Sequence, residues 1–263
     1  MNIIRKKIEE RNKLNQKALT LFLTGGFPNK NNFVDFALDL IDTGADLFEL
    51  GIPFSDPIAD GTTIQKTSKI ALDNGTTIFD VFEYSRKISA KSNIPIILMG
   101  YSNPIYKIGL QNFVDRAIEA GVKGLIVPDV PFDEYNDFFN VDLKELNIIL
   151  LTTPASNKDR IREIDNNSNG FVYCVSINGT TGKENIFNNQ TIKSIEKNYN
   201  LIKKNKMQVG FGISSRSDIK KIKHTCDGII VASSVLKKML SEKTKINEVL
   251  NFAGSLAEEC HSA

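Results

Sequence analysis

Eight short apolar runs alternate with segments of helical spacing along the whole chain, and that alternation limits the folds open to it. The runs at 19–24, 47–50, 94–99, 124–127, 148–151, 171–175, 208–210 and 228–231 read as strands. Several are apolar almost without a break, as in IPIILM and GIIVA, which is the pattern of parallel strands buried on both faces. Helical spacing is predicted over 32–43, 63–72, 78–90, 110–120, 133–146, 158–164, 191–204, 215–223 and 246–260, with a short helix from Ser233 and a leading helix near residues 3–14. A doubly wound open sheet gives the same alternation. Eight units within 263 residues, with no linker or low-complexity tract, favour closure. The expectation is an α/β fold: an eightfold parallel β/α (TIM) barrel with an extra N-terminal helix, one domain over 1–263.

Charge excludes some roles. Lys+Arg 33 against Asp+Glu 31 leaves +2, so no global field draws nucleic acid or a membrane surface. The lysine clusters at 203, 204 and 206 and at 220, 221 and 223 are predicted to lie on helices and to face water. Cys174, Cys226 and Cys260 are odd in number and lack metal-like spacing, which points to reduced thiols. The amphipathic N-terminus has no secretion-signal core, and no run nears the ~18 apolar residues of a membrane span. A cytoplasmic protein is expected.

In a β/α barrel the chemistry sits where the strands end. Neither His224 nor His261 lies at such an end, nor does any Lys, since Lys123 and Lys206 precede their strands. A Schiff-base lysine and a zinc site are therefore disfavoured. Carboxylates remain. Glu49 ends an apolar strand and Asp60 closes the loop after it, with Asp129 and Tyr173 as further candidates. A carboxyl group facing a barrel interior loses hydration, and its pKa rises. As ordinary turn formers, Asp56 and Asp60 would need no such role.

A second constellation is Gly210-Phe211-Gly212-Ile213-Ser214 with Val231-Ala232-Ser233-Ser234. Loops after the seventh and eighth barrel strands commonly bind phosphate through backbone N–H groups. A phosphorylated substrate would then lie across the barrel top toward Glu49 and Asp60. Phe22, Tyr101 and Phe211 at strand ends could sandwich a flat aromatic group, with Leu98, Leu125, Val127 and Tyr173 around them.

The stretch from Glu49 to Gly61, ELGIPFSDPIADG, followed by Thr63-Ile64-Gln65, closely resembles the signature of the tryptophan synthase alpha subunit family. The resemblance continues through Tyr101-Ser102-Asn103-Pro104, Pro128-Asp129-Val130-Pro131, Thr181-Gly182 and Gly210-Phe211-Gly212-Ile213-Ser214. It implies cofactor-free cleavage of indole-3-glycerol phosphate to indole and glyceraldehyde 3-phosphate, with Glu49 as acid/base and Asp60 as its partner. Phe22, Tyr101, Leu125, Tyr173 and Phe211 would line the indole pocket. Gly182, Gly212, Ala232 and Ser233 would hold the phosphate, and Thr181 would close a lid onto Asp60. Asp56, Pro57, Asn103 and Pro131 would face a beta subunit that carries pyridoxal phosphate, in an alpha2beta2 assembly. No metal is implied.

The chain departs from the family pattern at Thr62 (usually Pro), at Ile177-Asn178, at Thr180 and at Ala232, which replaces a glycine and disfavours positive φ. Two rival readings stay open: a sugar-phosphate isomerase on a phosphate-binding barrel, and an alpha-like chain whose main role is to activate a partner.

Overall fold

The computed structural model describes residues 2–176 and 187–262. Its strands are β1 (Ala18–Thr24), β2 (Leu47–Gly51), β3 (Ile96–Met99), β4 (Val122–Ile126), β5 in two halves (Asn147–Ile148 and Leu150–Thr152), β6 (Phe171–Val175), β7 (Lys206–Gly210) and β8 (Gly228–Val231). All pair in parallel, and the hydrogen-bonded order runs from the first half of β5 through β4, β3, β2, β1, β8, β7 and β6 to the second half of β5. The two ends of the sheet are therefore one strand, and the barrel closes on itself. Every residue of β1, β2, β3 and β8 is buried, as the unbroken apolar runs predict.

β5 is broken because side chains enter its ladder. The Ile149 amide donates to Leu125 O at 3.0 Å, whereas the next amide, Leu150, donates to Ser168 Oγ at 3.0 Å. The switch of partner at one residue splits the predicted run.

Helices clad the barrel between strands, beginning with α2 (Phe33–Asp42) after β1. After β2 come α3 (Thr62–Asp73) and α4 (Ile78–Lys91), the two pieces predicted around Asn74-Gly75; Thr77 opens the second with a reciprocal capping box to Asp80. The predicted helix over 133–146 is not there. A 3₁₀ turn, Phe132–Glu134, leads into one helical turn, Tyr135–Phe138. Beyond it, Gln111 bonds both the amide and the carbonyl of Asp142, and the Asp142 carboxylate accepts from the Lys144 amide. These local bonds offer the backbone an alternative to helix. The sequence reading also overlooked Ser102–Ile108, a helix directly after β3. Lys203 and Lys204 follow the helix Asn189–Leu201 as exposed loop residues, and Lys206 starts β7 and pairs with Asp227, so that cluster is not helical.

The leading helix α1 (Ile3–Lys13) sits at the N-terminal mouth of the barrel. Its Ile4 is fully buried against Gly124 and Gly170, where an added Cβ would collide or crowd. Arg11 reaches back to Asp46 at 2.6 Å, and the same carboxylate accepts from the Leu19 amide and contacts His261 Nε2 at 2.9 Å. One end of the barrel is thereby plugged and pinned. Among the described residues the other end is open.

Candidate active site

Glu49 lies in register with Phe22 of β1 and Ile97 of β3, so all three side chains point into the barrel. Phe48 and Leu50 alternate outward under the helices. Glu49 is only 1% exposed, and its Oε2 has no hydrogen-bond partner among the described residues. Burial, and then the charge of Asp60, push its pKa up to about 8.

Asp60 stands in the loop that joins β2 to α3. Its Oδ2 accepts from the Tyr101 hydroxyl at 2.9 Å, and that hydroxyl accepts in turn from the Ala59 amide at 3.1 Å. Gln65 Nε2 holds the Asp60 carbonyl at 2.9 Å, and Phe54 stacks on Tyr101 with ring centroids 5.3 Å apart. The carboxylate is thus strapped in place, with its Oδ1 left unpartnered among the described residues. Burial raises its pKa to about 6, against the lowering effect of the Tyr101 hydrogen bond. The two carboxyl groups therefore differ at neutral pH: Glu49 holds its proton and Asp60 has lost it.

A cavity of about 910 Å³ runs from Glu49 and Asp60 past Met99, Tyr173 and Phe211 to Gly212, Ala232, Ser233 and Ser234. Phe211 (φ 71°) and Gly212 (φ 77°) both lie in the left-handed region. Glycine adopts it freely, whereas Phe pays roughly 1–3 kcal/mol of strain. Ser176 holds the turn by donating to Phe211 O at 2.6 Å. Phe211 meets Tyr173 edge to face, with centroids 6.1 Å apart. Gly210 makes room for this wall, since a Cβ there would stand 2.1 Å from the Tyr173 hydroxyl. A second cavity of about 470 Å³ shares Met99, Tyr173 and Phe211 and continues to Ile58, Pro131 and Phe132.

The predicted residues fall into three groups. Glu49, Asp60, Tyr173, Phe211, Gly212, Ala232 and Ser233 converge on the cavity. Phe22 and Leu125 do not line it. Both are buried in the core, and Phe22 fills the space above Gly51, where a Cβ would come within 2.5 Å of its ring. Tyr101 is also buried behind the wall, and positions Asp60. Thr181 and Gly182, together with Ile177, Asn178 and Thr180, lie outside the described residues.

Three expectations need correction. Asp129 is occupied elsewhere: its carboxylate accepts from the Ser102 amide at 3.0 Å and the Ser102 hydroxyl at 2.7 Å, capping the helix after β3. Ala232 has φ −125°, so the positive φ that would favour glycine is not adopted there. Pro57 is buried within the chain, whereas Asp56, Asn103 and Pro131 are exposed. Thr62 occupies the first position of α3, where the N–H lacks a helical partner in any case, so the usual Pro and the present Thr both fit.

Some functional residues escaped the sequence reading. Gly51 and Gly210 are the spacers that admit Phe22 and Tyr173, and a glycine at a strand end was the available signal. Lys237 and Lys238 also line the larger cavity. They sit on the helix after β8, Ser233–Met239, four and five residues beyond Ser233, where a rule that inspects strand ends does not look.

A family model described as Tryptophan synthase alpha chain matches residues 8–262. The tryptophan synthase alpha chain of Prochlorococcus marinus (strain MED4) is 40% identical over 262 residues, which is 99% of this chain and 93% of that protein. That of Thermoanaerobacter sp. (strain X514) is 40% identical over 265 residues, covering 98% of this chain and 99% of the relative. Among solved structures, a chain of Mycobacterium tuberculosis tryptophan synthase superposes with a TM-score of 0.89 at 27% identity, covering 99% of this chain and 98% of that one.

Proposed function

The chain belongs to the tryptophan synthase alpha chain family, and on that basis we propose which of its residues carry the family's reaction. It is a lyase that cleaves indole-3-glycerol phosphate to indole and glyceraldehyde 3-phosphate. It needs no cofactor of its own; pyridoxal phosphate belongs to the beta subunit that takes up the indole.

One observation carries the assignment of roles: the buried Glu49 carboxyl, with its pKa raised by burial, and the Asp60 carboxyl strapped by Tyr101 face the same cavity, which leads to Ser233. In this reading Glu49 delivers its proton to indole C3, which makes the ring an electron sink. Positive charge then grows at the indole N–H, and the Asp60 carboxylate stabilises it. The carbon–carbon bond breaks as the side-chain hydroxyl loses its proton, and the Glu49 carboxylate formed in the first step accepts it. Tyr173 and Phe211 flank the ring, and the backbone at Gly212, Ala232 and Ser233 receives the phosphate. The proposed lid residues, Thr181 and Gly182, would exclude water above this assembly.

The second cavity supports an apolar path from the ring-binding end toward the face that bears Pro131. Ile58 and Tyr106 are 76% and 77% exposed beside Asp56 and Asn103, which suits a surface covered by the beta subunit. An alpha2beta2 assembly is proposed on this face. One domain over 1–263 and a cytoplasmic location are also proposed, the latter supported by three free, buried cysteines. Among the described residues, no helix is long and apolar enough to cross a membrane.

The test is indole release from indole-3-glycerol phosphate, with and without the beta subunit. Slow release that accelerates with the partner is expected, and none under either condition would overturn the reading. The pH profile is the sharper check. Asp60 must be charged, so kcat/KM should rise as pH passes about 6. Glu49 must hold its proton, so kcat/KM should fall beyond about 8. The two limbs belong to the pair jointly, because each charge acts on the other. A flat profile between pH 5 and 9 would count against the pair.

A further inference from the structure

The larger cavity is oddly charged for a site that takes a phosphate ester. Its lining carries three carboxyl groups, Glu49, Asp60 and Asp218, of which Glu49 keeps its proton. Asp218 lies on the phosphate side, where its Oδ2 accepts from the Ser214 amide at 3.0 Å and from the hydroxyls of Ser214 and Ser215 at 2.8 and 2.9 Å. Opposite charge comes only from Lys237 and Lys238 among the described lining residues. Neither lysine forms an ion pair with another described residue. Lys238 is half-buried, and its Nζ sits 4.8 Å from the centroid of the Phe252 ring, which lines the same cavity. An ammonium over an aromatic face is held in direction without being neutralised. Its positive field therefore remains available to a ligand.

We propose that Lys238, assisted by Lys237, is the residue that draws the substrate's phosphate into the barrel and holds it there, setting specificity for an anionic substrate. This rests on the reading that the phosphate lies at Gly212, Ala232 and Ser233. Backbone amides and a serine hydroxyl can shape a phosphate site, but they bring no net charge. A dianion entering past the Asp60 and Asp218 carboxylates is otherwise repelled, and a cleft lined by cations raises the on-rate of an anion. Lys238 is a positioning residue: it acts on the phosphate end, remote from the bond that breaks. The plainer alternative is that both lysines merely complement the C-terminal end of their own helix, in whose last turn they lie.

The experiment uses the chain with its beta subunit bound and the lysine variants Lys238→Met and Lys238→Arg. Met keeps the apolar stem and removes the charge; Arg keeps the charge. Loss of the charge should raise KM for indole-3-glycerol phosphate about tenfold with kcat within about twofold, and flatten the dependence of kcat/KM on salt. In the reverse reaction KM for glyceraldehyde 3-phosphate should rise equally, while KM for uncharged indole stays put. Arg should restore all three. A purely helix-stabilising lysine would leave the salt slope and the split between the two KM values unmoved, and that result overturns the proposal. Ser233→Asp, run alongside, separates the two layers. If it raises KM while Lys238→Met does not, the steering role alone fails. If neither changes KM, the phosphate lies elsewhere and both fail.

Discussion

Glu49→Gln will lose indole release by about 10³-fold or more, while substrate still binds. The substitution keeps the shape of the side chain and removes only its ability to give and take a proton. Glu49 makes no hydrogen bond to another described residue through Oε2 that the amide would break, so the cavity should keep its form. Titration with indole-3-glycerol phosphate should give a dissociation constant within a few-fold of the parent's. Turnover within tenfold of the parent would remove Glu49 from the mechanism.

The same variant should be more stable in alkali. The folded protein holds the Glu49 proton up to about pH 8, well above the 4.5 of an ordinary glutamate. The folded state therefore binds more protons than the unfolded chain across that interval, and stability falls as pH rises through it. Below about 4.5 the side chain is neutral in both states and costs nothing. Above 8 the protein carries a buried charge, a burden on the order of a few kcal/mol. Gln lifts it. The Tm gain should be clear at pH 9 and small at pH 5; an equal gain at both would mean that Glu49 is not buried as a charge.

Ser233→Asp should raise KM for indole-3-glycerol phosphate by about 10²-fold or more, because unit charges ~4 Å apart repel by about 4 kcal/mol at an effective dielectric constant of 20. Stability should not fall with it. Ser233 is the first residue of its helix, where a carboxylate is favoured by the helix dipole. A KM increase with an unchanged or higher Tm is therefore the signature of phosphate at this point. A matching loss of Tm would indicate general damage instead.

Much of this was legible in the chain. Glu49 could be found because a carboxylate at the end of an all-apolar run has few explanations, and the strand-end rule placed it in the barrel mouth. Asp60 was legible as a neighbour, but its strap was not: Tyr101 looked like a wall of the ring pocket, and the hydroxyl that reaches Asp60 depends on a loop path that spacing does not encode. Phe22 and Leu125 are less plain from the sequence. They end strands as site residues do, yet Gly51 leaves a hollow that Phe22 fills as core. The absent helix over 133–146 failed for a tertiary reason, since Gln111, thirty-one residues away from Asp142 in sequence, supplies the competing bonds. Lys238 lay beyond reach because its partner, Phe252, comes from another helix.

The divided fifth strand has a consequence for how the molecule breathes. Only Asn147 and Ile148 pair with β4, only Leu150 to Thr152 with β6, and a single helical turn clads the gap. No other strand has so few ladder partners in all, although the ladder between β7 and β8 is also only two pairs long. Amide protons at the seam should therefore exchange with solvent through local opening, ahead of the rest of the barrel. Leu150 and Leu151 line the second cavity with Pro131, on the flank proposed for the beta subunit. Docking there would act as a clasp, and slowed exchange at these amides would report the partner's arrival at the point where the ring of strands is weakest.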